Sequence, residues 1–439
     1  MEMDRRQFLV RTGLLLSAGA LAAHSAGCQT HEEVRRRAYP YEDWPSVRNA
    51  FLLDRRKIHM AGFLLASHPT PVREAIERHR RALDEDPAGY WLEQEESAEA
   101  AVLGEAAEYL GVSRTEIALT DSTTMGLGLL YGGLVLHEGQ EILSTVHDHY
   151  STETSLRHRA ERTGASVRRI PLYRELKTVT REEVVESIVQ AIRPETRYLA
   201  VTWVHSSTGL KLPIRQIADA LVTINASREA RDRVLLCVDG VHGLGVENVS
   251  LRELGCDFLV AGTHKWMFGP RGTGLVWGRE QAWPRAQATI PTFDAEAYRM
   301  WMKVIPEAPL RQAARMTPGG FHSFEHRWAL SEAFKFHRAI GKARVTERIH
   351  ALNQQMKQGL AAMPHVTVHT PMSQDLSAGI VCFEVARWSA KKVVDKLREE
   401  RIIASVTPYA TQYARVAPSV LNTPGEVEVV LRVIGDMKA

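Results

Sequence analysis

Cysteine is scarce in this chain, with four residues among 439. Three of them, Cys237, Cys256 and Cys382, fall in or beside apolar strand-like runs and read as buried free thiols. A disulfide framework is therefore not expected. A large excess of either charge is lacking too: 55 basic residues stand against 52 acidic ones for a net charge of +3, and basic residues do not interleave with aromatic ones. That argues against nucleic acid as a partner. The apolar stretch from Gly13 to Ala23 is too short for a membrane span. Internal repeats and low-complexity tracts are absent, and no metal site is expected. What is present, 44% apolar and 24% charged residues, is the composition of a soluble globular enzyme. The length allows two or three domains with ample cores.

The first 28 residues differ from the rest. Arg5-Arg6-Gln7-Phe8-Leu9-Val10 precedes the short apolar stretch, the pattern of a twin-arginine export signal. The twin-arginine export machinery is thus an expected partner, and the location periplasmic or otherwise extracytoplasmic. Ser25-Ala26-Gly27-Cys28 resembles a lipoprotein cleavage box that would anchor the protein through Cys28, although Ser25 stands where a larger aliphatic residue is usual. Residues 29–60, with Arg35-Arg36-Arg37, read as a tether and arm. A large domain over 61–318 and a smaller C-terminal one over 319–439 are expected to follow.

From Glu116 to Trp277 short apolar runs alternate with amphipathic segments, the signature of a doubly wound α/β domain. Seven strands are expected: Ile117 to Thr120, Glu141 to Val146, Val167 to Leu172, Tyr198 to Trp203, Val234 to Val238, Phe258 to Ala261 and Leu275 to Trp277. Thr180-Arg181-Glu182-Glu183 reads as a capping box. Beyond Pro318 the pattern predicts a long helical stretch from Arg327 to about Met363, a strand from Ile380 to Val385, a helix from Ala390 to Glu400, and a last helix opened by Thr423-Pro424-Gly425-Glu426. Together these suggest a smaller α+β domain.

The chemistry gathers around Gly262-Thr263-His264-Lys265-Trp266 and the glycine-rich turn after it. A lysine there is most simply a solvated loop residue. Upstream, however, Val234-Leu235-Leu236-Cys237-Val238 reads as a strand buried on both faces that ends in Asp239-Gly240-Val241-His242. An acid at the carboxyl end of a parallel strand sits where open α/β sheets place their ligands, unless it only caps a helix. Such a pair suits pyridoxal 5′-phosphate: the lysine amine forms a Schiff base, and the carboxylate keeps the pyridine nitrogen protonated.

On these residues, and on Phe63 to Arg73, Thr120 to Gly126, Thr145 to Ser151, His205 to Gly209 and Ala414 to Thr423, the chain resembles the class V aminotransferases of PLP fold type I, in the branch that contains isopenicillin N epimerase and the cysteine desulfurases. The resemblance implies a seven-stranded, mostly parallel large domain, a small C-terminal domain and a homodimer. It places Ser122, Thr123 and Thr124, which taken alone read as a helix cap, at the phosphate, with Thr263 and His264 as further phosphate ligands. It makes His149 the ring-stacking imidazole, with His147 as the fallback. His242 and Ser206 would meet the ring hydroxyl, although relatives often carry Asn where Ser206 stands. Arg415 would grip the substrate α-carboxylate with two parallel hydrogen bonds. Ser67 and His68 face the substrate or form a polar turn. Where many relatives reach across to the neighbouring subunit's phosphate with Gly-Thr, this chain has Pro318 to Phe324, with His322 or Ser323 as replacements. Between Ile403 and Tyr413, where a desulfurase of the closest type keeps its persulfide cysteine, there is none.

The implied activity is reaction at the α-carbon of an amino acid or amine, as in an isopenicillin N epimerase-like enzyme. Lys265 would serve as cofactor ligand and base, Asp239 would hold the ring nitrogen, and His149 would act on the opposite face. Transamination, C–S or C–N bond cleavage, and an exported binding protein without catalysis are the alternatives.

Overall fold

The computed structural model describes residues 41–307 and 313–437. The export signal, the Cys28 box and the basic run at 35–37 lie outside the described residues.

Helix Trp44–Asn49, capped by Asp43, leads to the two-residue strand β1, Ile58–His59. Residues 41–60 are thus built into the fold. Helices Thr70–Glu85 and Pro87–Leu110 follow, each opened by a proline in its first turn. The next strands are β2 Ile117–Thr120, β3 Glu141–Thr145, β4 Ser166–Ile170, β5 Thr196–Thr202, β6 Leu235–Asp239, β7 Phe258–Gly262 and β8 Gly274–Gly278. They form one sheet in the order β2-β8-β7-β6-β5-β3-β4. Only β8 runs against its neighbours. All seven expected strands are present, shifted by a residue or two at their ends. Most are apolar on both faces because core packs against each side of the sheet.

This order matters for chemistry. With β8 alone reversed, the carboxyl ends of β2, β3, β5, β6 and β7 share one edge of the sheet. Each discharges a candidate residue there: Thr123 after β2, His149 after β3, Ser206 after β5, Asp239 at the end of β6 and Lys265 after β7. Ligands of open α/β sheets bind at that edge.

The remaining strands are β9 Val366–Val368, β10 Val381–Val385, β11 Ile402–Ile403, β12 Ser405–Val406 and β13 Ala414–Val416. Four of them form an antiparallel sheet, β12-β13-β10-β9, and β11 pairs in parallel with β1. Their core cluster includes Met60 from the arm, so the N-terminal arm packs with the small sheet.

The helical stretch expected from Arg327 to Met363 is two helices, Phe324–Ile340 and Lys342–Ala361. Gly341 breaks it with φ 97, a conformation open to glycine at little cost. The capping box at Thr180 is half formed: Thr180 Oγ1 accepts from Glu183 N–H, while the Glu183 carboxylate takes Arg174 N–H instead. The box at Thr423 is complete.

Candidate active site

The Lys265 loop is held from three sides. Gly269 N–H donates to Thr263 O (2.8 Å), Phe268 N–H to Lys265 O (3.1 Å), and the buried His337 bonds Trp266 O through Nε2 (2.9 Å). Phe268 has φ 54, a strained conformation for an aromatic residue. Its ring packs on Phe51 and stacks on His337, and that packing over-determines the turn. Lys265 is thereby fixed at the sheet edge. Burial lowers its pKa, the nearby Asp239 partly restores it, and Arg415 lowers it further. An amine in this setting is deprotonated more easily than a solvated one.

Asp239 is 3% exposed, and among the described residues the one hydrogen bond to its carboxylate comes from Val241 N–H to Oδ1 (3.2 Å). Burial pushes its carboxyl up to about 6. Among the described residues this carboxylate has no cationic hydrogen-bonding partner, and a protonated pyridine nitrogen would supply one. Near it Asp148, missed in the sequence, accepts from Ser144, Thr145 and Thr202 hydroxyls and from Thr145 N–H at 2.7–3.1 Å. This knits the ends of β3 and β5 together.

At the end of β7, Gly262 N–H donates to Thr123 Oγ1 (2.8 Å). A methyl group on Gly262 would lie 3.0 Å from that oxygen and 2.9 Å from His264 Cε1, so the close approach needs glycine. Ser122 caps helix Thr123–Gly133 by accepting Met125 N–H. The N–H groups of Thr123 and Thr124 then have no partner within the helix, and they form a positive end suited to a phosphate. His264 Nδ1 is buried without a partner beside this cradle. Thr263 is not part of it: its side chain is fully buried, and its hydroxyl is shared with Thr273 (2.6 Å), closing the loop. Thr124 Oγ1 turns toward Ser151 (3.1 Å).

The structure chooses between the two histidines. His147 accepts Leu172 N–H (3.2 Å) and stacks on Tyr173 with ring centres 4.5 Å apart, so it is spent on the fold. His149 faces the site, where burial, then Lys265 and Arg415, lower its pKa. Its Nδ1 accepts Ser151 N–H (3.2 Å) as the cap of helix Tyr150–Thr163, which places the proton of the neutral ring on Nε2. Burial, and then Lys265, Arg415 and His149, likewise push the His242 pKa well down, which favours its neutral form. Trp266 Nε1–H donates to its Nδ1 (3.2 Å), which leaves Nε2–H as a donor.

Arg415, 2% exposed, arrives from β13 opposite Ser405 and Cys382. Its Nε donates to Ser405 Oγ (2.9 Å) and its Nη1 to Ser206 O (2.7 Å), and its guanidinium lies 4.6 Å from the centre of the Phe63 ring. A cysteine therefore does lie beside Arg415, although outside the segment from Ile403 to Tyr413. Cys382 is fully buried, and burial pushes its thiol up to about 12, so it offers no accessible thiolate. Tyr409, also missed, bonds Ser206 Oγ through its hydroxyl (2.7 Å) and stands edge-on to His149 with ring centres 6.1 Å apart.

The remaining candidates lie elsewhere. His68 sits against His326 and near Arg271, and His322 bonds Gly320 O and packs on Phe324. Ser323 precedes helix Phe324–Ile340 without a side-chain cap bond. The residues present fit pyridoxal phosphate: Lys265 would meet its aldehyde, Asp239 its ring nitrogen, His242 its hydroxyl, and Thr123, Thr124 and His264 its phosphate.

Comparison with known proteins gives the same answer. The family model for aminotransferase class V matches residues 94–418, well over half the chain. Isopenicillin N epimerase of Streptomyces clavuligerus is 27% identical over 88% of this chain and 96% of its own. A cysteine desulfurase of Cronobacter sakazakii is 26% identical over 67% of this chain and 68% of its own. Among solved structures, the cystine C-S lyase C-DES with its product cysteine persulfide superposes with a TM-score of 0.77 at 22% identity, covering 90% of this chain and 99% of that one. The apo cysteine desulfurase of Thermococcus onnurineus NA1 gives 0.75 at 19% identity, covering 90% and 97%. These superpositions establish PLP fold type I.

Proposed function

The chain belongs to the class V aminotransferases, PLP-dependent enzymes, and from that premise we propose that it inverts the α-carbon of an amino acid. The observation that carries this reading is the arrangement about Asp239. Lys265 flanks β6 from the β7 side, while His149, Ser206 and Tyr409 flank it from the β5 and β3 side. Inversion requires a proton-bearing group on each face of the reacting carbon.

When bound, pyridoxal phosphate supplies an electron sink that acidifies the α-C–H bond. The chain's own residues do the rest. Arg415 holds the substrate carboxylate and so fixes the α-carbon between the two flanks. Lys265 Nζ, with its lowered pKa, takes the α-proton from one side. A group on the other side returns a proton, and the electron pair of the broken C–H bond becomes that of the new one. The buried Cys382 thiol supports inversion over persulfide formation. The full-length match to an epimerase agrees.

The test is incubation of the loaded enzyme with single enantiomers in deuterated buffer. Inverted product carrying one α-deuterium is expected, and Lys265→Ala should abolish both inversion and the visible absorbance of the bound cofactor. Keto acid with no inversion would make the enzyme a transaminase; ammonia with pyruvate or a thiol would make it a lyase. We further propose that the enzyme works outside the cytoplasm as a homodimer. Replacing Arg5 and Arg6 by Lys should trap the precursor in the cytoplasm, and unchanged export would overturn that assignment.

A further inference from the structure

The loop that joins β12 to β13 has a built interior. Thr407 N–H donates to Tyr413 O (3.0 Å), Tyr413 N–H to Thr407 Oγ1 (2.9 Å), and Thr407 Oγ1–H to Thr411 O (3.3 Å). One threonine thus pins both ends of the turn and carries Tyr409 into the site. Arg415 leaves the same hairpin, in register with Ser405. Arg415 and Tyr409 lie near enough to interact electrostatically, so a carboxylate on Arg415 would bring its α-carbon toward the Tyr409 phenol.

His149 is poorly suited to carry a proton here. Its Nδ1 is taken by the helix cap. Lys265 and Arg415 also disfavour its protonated form. Tyr409 is better placed: its hydroxyl, the group that would carry the proton, is held by Ser206 Oγ at 2.7 Å on the flank of β6 opposite Lys265.

We propose that Tyr409 is a catalytic residue, the proton carrier on the face of the substrate opposite Lys265, with Ser206 positioning its hydroxyl. This rests on the epimerase reading. In one direction Lys265 Nζ takes the α-proton and becomes an ammonium. Tyr409 Oη then gives its proton to the α-carbon and becomes a phenolate; burial raises the pKa of this phenol, and the Ser206 hydrogen bond and the nearby Arg415 offset part of that cost. Proton exchange with solvent restores both groups, so no oxidant or reductant is consumed.

The experiment uses loaded wild type, Tyr409→Phe and Ser206→Ala, with L- and D-alanine, methionine and glutamate as probes in deuterated buffer. Two readouts are taken: the absorbance shift of the bound cofactor on adding each enantiomer, and α-deuterium in each recovered enantiomer. Tyr409→Phe should keep the cofactor spectrum and the shift with both enantiomers. It should still exchange the α-proton of one enantiomer, through Lys265, while exchange of the other and net inversion fall about a hundredfold or more. Ser206→Ala, which keeps the phenol and removes its partner, should weaken the same half-reaction by a smaller factor. Inversion by Tyr409→Phe within twofold of wild type would return the second proton to His149 and overturn the proposal. Equal loss of both exchanges would make Tyr409 structural, with the same consequence. A wild type that inverts none of the probes would overturn the epimerase reading itself.

Discussion

Replacing Asp239 by Asn should act with opposite sign on the cofactor-free and the loaded protein. The carboxyl lies 3% exposed with one hydrogen bond, and burial lifts it from its ordinary 3.8 to about 6. A rise of that size corresponds to about 3 kcal/mol of preference for the protonated form on folding. Because the folded value lies above the unfolded one, this stability is fully present below about pH 4 and is lost as pH rises through about 6. Lys265 offsets part of the cost of the buried charge at higher pH. Asn keeps the shape and the acceptor for Val241 and does not titrate. Cofactor-free Asp239→Asn is therefore expected to match wild type near pH 4 and to be more stable by about 1–3 kcal/mol at pH 8. Urea unfolding at fixed protein concentration reads the difference. In the loaded enzyme Asn has no charge to pair with the protonated ring nitrogen, and breaking such a buried pair costs about 3–5 kcal/mol. Cofactor affinity should then fall about a hundredfold or more. A cofactor-free variant less stable than wild type at pH 8, or a difference that is the same at both pH values, would show that burial does not raise the Asp239 carboxyl.

The two histidines should separate cleanly. His147→Ala removes the acceptor for Leu172 and the stack on Tyr173 and should lower stability by about 1–3 kcal/mol while leaving the cofactor spectrum in place; His149→Ala should alter the spectrum and change unfolding by less. Arg415→Lys cannot reproduce two parallel hydrogen bonds to a carboxylate, so KM for amino acids should rise about tenfold or more, whereas the corresponding amines should bind unchanged. Gly262→Ala drives a methyl group to 2.9–3.0 Å from His264 and Thr123, and cofactor loading measured by absorbance should drop with secondary structure retained.

The doubly wound sheet was legible because strands buried on both faces leave continuous apolar runs, and those runs stop where β6 ends in Asp239 and where β7 meets the Lys265 loop. The helix starts at Ser122 and Thr423 were legible because caps act within four residues. The two-helix break at Gly341 was not, since a glycine inside an amphipathic pattern signals a break only when its backbone is known. The choice of His149 over His147 came from the resemblance alone, and what spends His147 on the fold, the stack on Tyr173, was not legible. The role of Thr263 as a loop closure, the approach of Cys382 to Arg415, and the pairing of Ser206 with Tyr409 across 203 residues were equally out of reach. By itself the sequence determined the elements and the chemical types at their ends, because period and propensity are local. Only the tertiary structure decided which side chains meet, because partners far apart in the chain compete for the same hydrogen bonds and the same buried space.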